Sequence, residues 1–218
     1  MNVRLAGWTL FVLLFAALNY GSRASSGTPD RDILYRYSTA VSGAIQYALI
    51  LGVMLLIARG LSKRDAFALR RPRSWPAALG LGVTILIAVY VIAALLNPLL
   101  HPGKEQGLTP TGWEAAHAGA FAANFFVVCV IAPVVEELTF RGLGYTLLVR
   151  FGVWPAILLT GLAFGLAHGL VDGLPELVLF GCMLAWLRSR TDSVYPAMLV
   201  HGTFNAIALV AAVTLGGS

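Results

Sequence analysis

Apolar residues recur in long runs along the whole chain, separated by short polar or basic stretches. About 20 apolar residues, rising about 1.5 Å each, cross the roughly 30 Å hydrocarbon layer of a bilayer. On that rule residues 5–20, 33–58, 77–100, 118–140, 153–170, 174–187 and 194–215 read as spanning segments, the first and sixth being short. The pattern predicts an all-α, polytopic transmembrane helical bundle of about seven spans.

Composition agrees. Of 218 residues, 58% are hydrophobic and 11% charged, whereas a soluble domain carries about 25% charge; such a chain has too little polar surface to face water. The formal charge is +5. Its basic residues lie between apolar runs rather than on one face of a folded module, so they read as topology signals and not as a nucleic-acid surface. The 59–76 loop carries Arg59, Lys63, Arg64, Arg70, Arg71 and Arg73, and positive loops stay in the cytoplasm. That assignment puts the N-terminus inside, with Arg141, Arg150, Arg188 and Arg190 on the same side. The 101–117 loop, whose one basic residue is Lys104, lies outside. With seven spans the C-terminus is also outside. The first segment, behind Arg4, reads as an uncleaved anchor. Cys129 and Cys182 sit within apolar runs and read as small hydrophobes. The chain divides into N-terminal helices with a basic loop, 1–117, and a polar-centred core, 118–218.

Ionisable groups within spans carry the chemistry, because each costs about 2.5 to 3.5 kcal/mol at a helix centre. Glu136, Glu137 and Arg141 close the fourth run. Glu137 and Arg141 are four apart with the acid first, the favourable order for a helical ion pair, while Glu136 points about 100° away. Arg141 is therefore expected to hold Glu137, leaving Glu136 as a general base. The plainer alternative is that all three cap the helix at the interface, where snorkelling lowers the penalty. Two further polar pairs at helical spacing weigh against that alternative: Phe164 with His168, and His201 with Asn205. Asp172 lies four residues beyond His168 and is expected to be solvated. Gln46 and Asn124 read as interhelical glue.

Peptide hydrolysis needs a base for water, donors for the oxyanion and an acid for the leaving amine. Glu136 and His168 would activate water, His201 and Asn205 would stabilise the oxyanion, and Phe164 would wall the site. No His-Glu-x-x-His, Gly-x-Gly-Asp or Gly-x-Ser-Gly pattern is present. The site is expected to need no cofactor, with zinc held by Glu136, His168 and His201 as the open alternative. Depth poses a difficulty on straight helices. His201 lies about 10 Å into its span and His168 about 22 Å, so a kink at Pro133, Gly142, Gly144 or Pro155, helix tilt, or a re-entrant piece over 144–151 has to bring them level.

At these residues the chain resembles the CAAX-processing and bacteriocin-processing (CPBP, or Abi) family, which includes type II CAAX prenyl endopeptidases. Glu136, Glu137 and Arg141 match its Glu-Glu-x-x-x-Arg motif, Phe164 and His168 its Phe-x-x-x-His, and His201 and Asn205 its His-x-x-x-Asn. The resemblance covers roughly residues 118–209. It implies an intramembrane endopeptidase, glutamic or metal-dependent, that cleaves a membrane-associated peptide or protein near a terminus; its expected partners are that substrate and the lipid bilayer. In a bacterial or archaeal membrane without prenylated proteins, the substrate would be a peptide signal, bacteriocin leader or sorting-signal remnant. Rival readings are a proton-coupled transporter and a non-catalytic scaffold or immunity factor.

Overall fold

The structure, a computed structural model, describes residues 3–25, 32–100 and 112–215, so Lys104 lies outside the described residues. Its elements are α1 (Val3–Ser25), α2 (Tyr37–Ile57), the short α3 (Lys63–Ala66), α4 (Trp75–Leu100), α5 (Ala115–Phe151), α6 (Val153–Ala167), α7 (Leu174–Thr191) and α8 (Tyr195–Leu215). No strand occurs among the described residues. The chain is an integral membrane protein built as a helical bundle.

By length and composition, five helices among the described residues can cross a membrane: α1, α2, α4, α5 and α8. The segments read as fifth and sixth spans are different in kind. Helix α6 has 15 residues, and α7 carries Glu176, Arg188 and Arg190. These two pack closely as a hairpin, with Gly161 facing Gly181 so tightly that a Cβ on Gly181 would lie 2.9 Å from the Gly161 Cα. Small residues at such a crossing let backbones touch, which is how helices associate where lipid supplies no hydrophobic drive.

Helix α5 is the axis of the bundle: 44% of its apolar window is buried, against 17 to 22% in the other four. Helices α1, α2, α6, α7 and α8 surround it. The outer helices turn apolar stripes outward. In α4, Leu79, Val83, Ile87, Val91 and Leu95 recur every four residues and each is more than half exposed. A stripe of that size would be an aggregation site in water and is the expected lipid face of a span.

Two departures from the sequence reading position the site. First, α5 does not stop near Phe140 but runs on to Phe151. Glu137 and Arg141 neutralise each other inside the protein, both fully buried, so their charge does not end the span. Arg141 is accordingly an internal ligand rather than a marker of the cytoplasmic surface, and residues 144–151 stay helical instead of forming a re-entrant piece. Second, the turn between α7 and α8 is buried: Ser193 and Val194 have no exposure, and the Val194 N–H donates to the Ala68 carbonyl at 3.2 Å. Helix α8 therefore begins below the protein surface, which brings His201 level with the end of α6 and removes the depth mismatch.

The same docking gathers several basic segments on one face. Arg70 donates to the Asp192 backbone carbonyl and to its carboxylate, each at 2.9 Å, and Arg188 donates to that carboxylate at 3.0 Å. Arg4 donates to the Arg59 carbonyl at 3.2 Å. Arg70, expected only as a topology charge, is thus also a structural clamp.

At the other end of α6, the Asn19 amide donates to the Ala167 carbonyl at 2.7 Å and the Tyr20 hydroxyl to the Leu170 carbonyl at 2.9 Å. Helix α1 so secures the turn that carries His168. Gly169 makes this contact possible: its φ is +64°, and a Cβ there would lie 2.8 Å from the Asn19 carbonyl carbon.

Gly169→Ala meets both a left-handed backbone penalty of about 1 to 2 kcal/mol and the Asn19 backbone, so it should lower the thermal midpoint in detergent by several degrees; an unchanged midpoint would show that α1 is not docked here. For Asp192, burial alone would push the carboxyl up, but hydrogen bonds and charge from Arg70 and Arg188 outweigh it and hold the carboxyl below its ordinary range. A carboxyl held low contributes stability above its unfolded pKa and loses it as pH falls through the folded value. Asp192→Asn should therefore destabilise at neutral pH by about 1 kcal/mol or less, as partly exposed pairs do. Its deficit against wild type should shrink as pH drops below about 4; a deficit that persists unchanged at lower pH would contradict the clamp.

Candidate active site

Helix α5 reaches the site through a widened turn, Val127–Ile131, which is π-helical and followed by Pro133. Pro133 has no N–H to give the carbonyls four and five residues back, those of Cys129 and Val128. Helix α8 uses both. Gly202 lies so close that a Cβ would stand 2.6 Å from the Cys129 oxygen, and Asn205 Nδ2 donates to the Val128 oxygen at 2.8 Å. One N–H of the Asn205 amide is committed to the backbone, and the residue lines the cavity described below.

One turn further, Glu136 and Glu137 diverge as the helical angle requires. Glu137 Oε1 accepts from Arg141 Nη1 at 2.9 Å and contacts His201 Nδ1 at 3.0 Å, while Arg141 Nη2 donates to the Gly181 carbonyl at 2.8 Å. A second π turn, Leu138–Gly144, follows, and the Trp8 indole donates to its Thr139 carbonyl at 2.9 Å. The alternative of three charges capping a helix at the interface is overturned by the burial of Glu137 and Arg141 and by the continuation of α5 to Phe151.

Glu136 faces the other way, into open space. Its Oε2 lies 3.7 Å from His201 Nε2 and 4.0 Å from His168 Nε2, and its Oε1 accepts from the Tyr47 hydroxyl at 2.6 Å. His168 caps the end of α6, with Nδ1 at 2.7 Å from the Phe164 carbonyl. A carbonyl only accepts, so Nδ1 carries the proton and Nε2 offers a lone pair to the cavity. Asp172, exposed, is not what orients this ring. The paired carboxylate of Glu137 likewise fixes Nδ1 of His201 as donor.

Phe164 packs among these groups with 1% exposure. Its ring lies 4.6 Å from that of His168 and 5.6 Å from that of His201, with the Arg141 guanidinium 4.5 Å from its centroid. It shields the ion pair from the cavity.

Two cavities meet at Glu136. The larger, about 410 Å³, is lined by Glu136, His168, His201 and Asn205 together with apolar side chains such as Phe180 and Phe204. The smaller, about 180 Å³, shares Tyr47, Glu136 and His168 and is otherwise bounded by Phe11, Phe15, Asn19 and Gln46 among others. The structure thus brings Glu136, His168, His201 and Asn205 to one cavity, with Glu137, Arg141 and Phe164 behind them. Asn124 is glue, its amide donating to the Leu34, Arg36 and Ala120 carbonyls. Gln46 is exposed on the smaller cavity.

The donors of the zinc alternative, Glu136, His168 and His201, are of the right chemical type, but their facing atoms stand wider apart than the roughly 3.3 Å between ligands on tetrahedral zinc. Among the described residues no group of three or more His, Cys, Asp or Glu is placed to hold a metal ion.

Sequence reasoning missed Tyr47, Trp8 and Asn19, all in the N-terminal half. A hydroxyl or indole in an apolar run is an ordinary residue of a span; its role shows only when the partner, over 80 positions away, is known. Cys129 and Cys182 are free thiols.

Residues 118–207 match the family model described as "Rce1-like: Type II CAAX prenyl endopeptidase Rce1-like". No curated protein and no solved structure matches the chain. The matched stretch holds Glu136, Glu137, Arg141, Phe164, His168, His201 and Asn205, the residues that converge on the larger cavity and its supporting layer. Over this segment the chain is similar to the Rce1-like type II CAAX prenyl endopeptidases, which are CPBP-family membrane proteases.

Proposed function

We propose that the protein is a metal-independent intramembrane endopeptidase in which Glu136 activates water against a peptide bond held in the larger cavity. The observation that carries this reading is the convergence of Glu136 Oε2 with the Nε2 atoms of His168 and His201 at 4.0 and 3.7 Å on the wall of a lined cavity. A carboxylate and two imidazole edges there form a proton-handling cluster in a site walled by apolar side chains.

In the proposed reaction Glu136 Oε2 takes a proton from water while His168 Nε2 accepts the other O–H as a hydrogen bond. The resulting hydroxide adds to the scissile carbonyl carbon, and the oxyanion receives the free N–H of Asn205. His201 donates from Nε2 when its ring holds a second proton, with Glu137 as counter-charge through Nδ1. The C–N bond then breaks, and the proton held by Glu136 passes to the departing amine, leaving a carboxyl and an amine product. Substrate is a membrane-associated peptide or protein whose terminal region reaches the cavity. Arg4, the 59–73 loop and the 188–192 turn, gathered on one face, are assigned to the cytoplasm by their excess of Arg and Lys.

Purified protein should cleave a fluorogenic membrane-anchored peptide, and Glu136→Gln should lower the rate at least about 100-fold, the scale of a lost general base. Cleavage retained in Glu136→Gln rejects the mechanism; no cleavage of any library peptide by wild type favours a transporter or scaffold. Strong chelators should leave the rate within about twofold, and inhibition reversed by added zinc would reinstate the metal alternative. For the supporting pair, Arg141→Met strands the Glu137 carboxylate and should destabilise by about 3 to 5 kcal/mol. The double change Arg141→Met with Glu137→Leu should recover much of the midpoint but not the rate, because His201 loses its orienting partner. Recovery of both would show the pair to be a packing element only.

A further inference from the structure

We propose that Tyr47 is a positioning residue of the hydrolytic site, selecting which carboxylate oxygen of Glu136 serves as base. The inference rests on the function proposed above and extends the site beyond the family-matched segment, since Tyr47 belongs to α2 and that segment spans residues 118–207.

A carboxylate has two equivalent oxygens and turns freely about its terminal bond, so a single base in a cavity presents no fixed lone pair. Here the oxygens are made inequivalent. Oε1 accepts the Tyr47 hydroxyl at 2.6 Å, a short charge-assisted hydrogen bond. Oε2 is left facing both imidazoles. The bond has one direction: an ionised carboxylate only accepts, so the phenol donates. Nearby polar groups do not compete for the task. The Thr139 hydroxyl is committed to the Val135 carbonyl at 2.8 Å, and the Gln46 side chain makes no hydrogen bond among the described residues. Glu136 is thus held from α2 on one side while its reactive edge looks toward α6 and α8 on the other.

The ring has a second consequence. Tyr47 lines both cavities, as do Glu136 and His168, so these three side chains form the partition between them. The hydroxyl orients the base and the ring maintains the wall. Tyr47→Phe separates these functions, because it removes one oxygen and keeps the ring.

With a cleavable anchored peptide, Tyr47→Phe should lower kcat about 10- to 100-fold, the scale of a reacting group displaced by about 1 Å, with KM within about twofold and the thermal midpoint near wild type. In a Glu136→Asp background the carboxylate retreats by about one C–C bond, roughly 1.5 Å, and has already lost the phenol. There Tyr47→Phe should cost less than about threefold further, the non-additivity of groups acting as a unit. Wild-type kcat in Tyr47→Phe, or an equal fold-loss in both backgrounds, overturns the inference while leaving Glu136 as base untouched. A second readout needs no turnover: the infrared carboxylate stretch that disappears in Glu136→Gln should shift in Tyr47→Phe. An unshifted band overturns the positioning role even if no peptide is ever cleaved, whereas cleavage surviving Glu136→Gln rejects the proposed function instead.

Discussion

A guanidinium with no access to solvent organises this protein. Arg141 has 0% exposure, and its charge is met by Glu137 one helical turn back, by the Gly181 carbonyl on α7 and by the face of Phe164 on α6. An isolated charge at such a depth would cost many kcal/mol, so the surrounding helices are constrained to bring those partners within reach. Helix α7 can deliver a backbone carbonyl only because it packs so closely on α6, which is why Gly161 and Gly181 sit at their crossing. The same pair reaches outward: Glu137 Oε1 also holds Nδ1 of His201, so the charge arrangement that keeps Arg141 inside sets the orientation of an imidazole at the cavity. Stability and site geometry share one chain of contacts from α7 through α5 to α8.

The backbone of α5 contributes as much as its side chains. In a regular helix each carbonyl already accepts one intrahelical hydrogen bond and offers neighbours only its second lone pair. The two π turns and Pro133 break that closure, and other helices fill the resulting openings: Asn205 at Val128, Gly202 against Cys129, Trp8 at Thr139. In lipid an unpaired carbonyl has no water to turn to, so each irregularity has to be answered by a protein donor or by close packing. The irregular turns therefore act as sockets that fix α8 and α1 in register on α5, and register determines whether His201 lands beside Glu136 or a turn away.

Much of this was legible in the residues. Long apolar runs gave the helical bundle, and the four-residue spacing of Glu137 and Arg141 gave their pairing, because periodicity within one helix is a local property. Glu136, His168, His201 and Asn205 stood out because polar groups are expensive in spans. Helix ends were less legible: the hydropathy of α5 falls at Glu136 and Arg141 as if the span stopped there, since hydropathy cannot tell a charge leaving the membrane from one neutralised within it. The buried turn at Ser193 and Val194 was hidden for a related reason. Its depth comes from docking on Ala68, a contact between distant residues that no periodicity encodes, and so His168 and His201 fall at different levels on straight helices.

The N-terminal half is where the local signals fail most and where the structure adds most. Trp8 and Asn19 on α1 and Tyr47 on α2 each make a directed hydrogen bond to the core. None belongs to a spaced pair, and the rings of Trp8 and Tyr47 suit a span without any further role. Yet each partner matters: a carbonyl in the π turn that follows Glu137, the carbonyl just before His168, and the carboxylate of Glu136. A polar cluster carried by α5, α6 and α8 alone would have its charged groups placed but its mobile ones free, with Glu136 able to rotate and the His168 turn unsupported. The two N-terminal helices supply that restraint, and they do so with side chains whose selection depends on geometry rather than on any pattern readable along the chain.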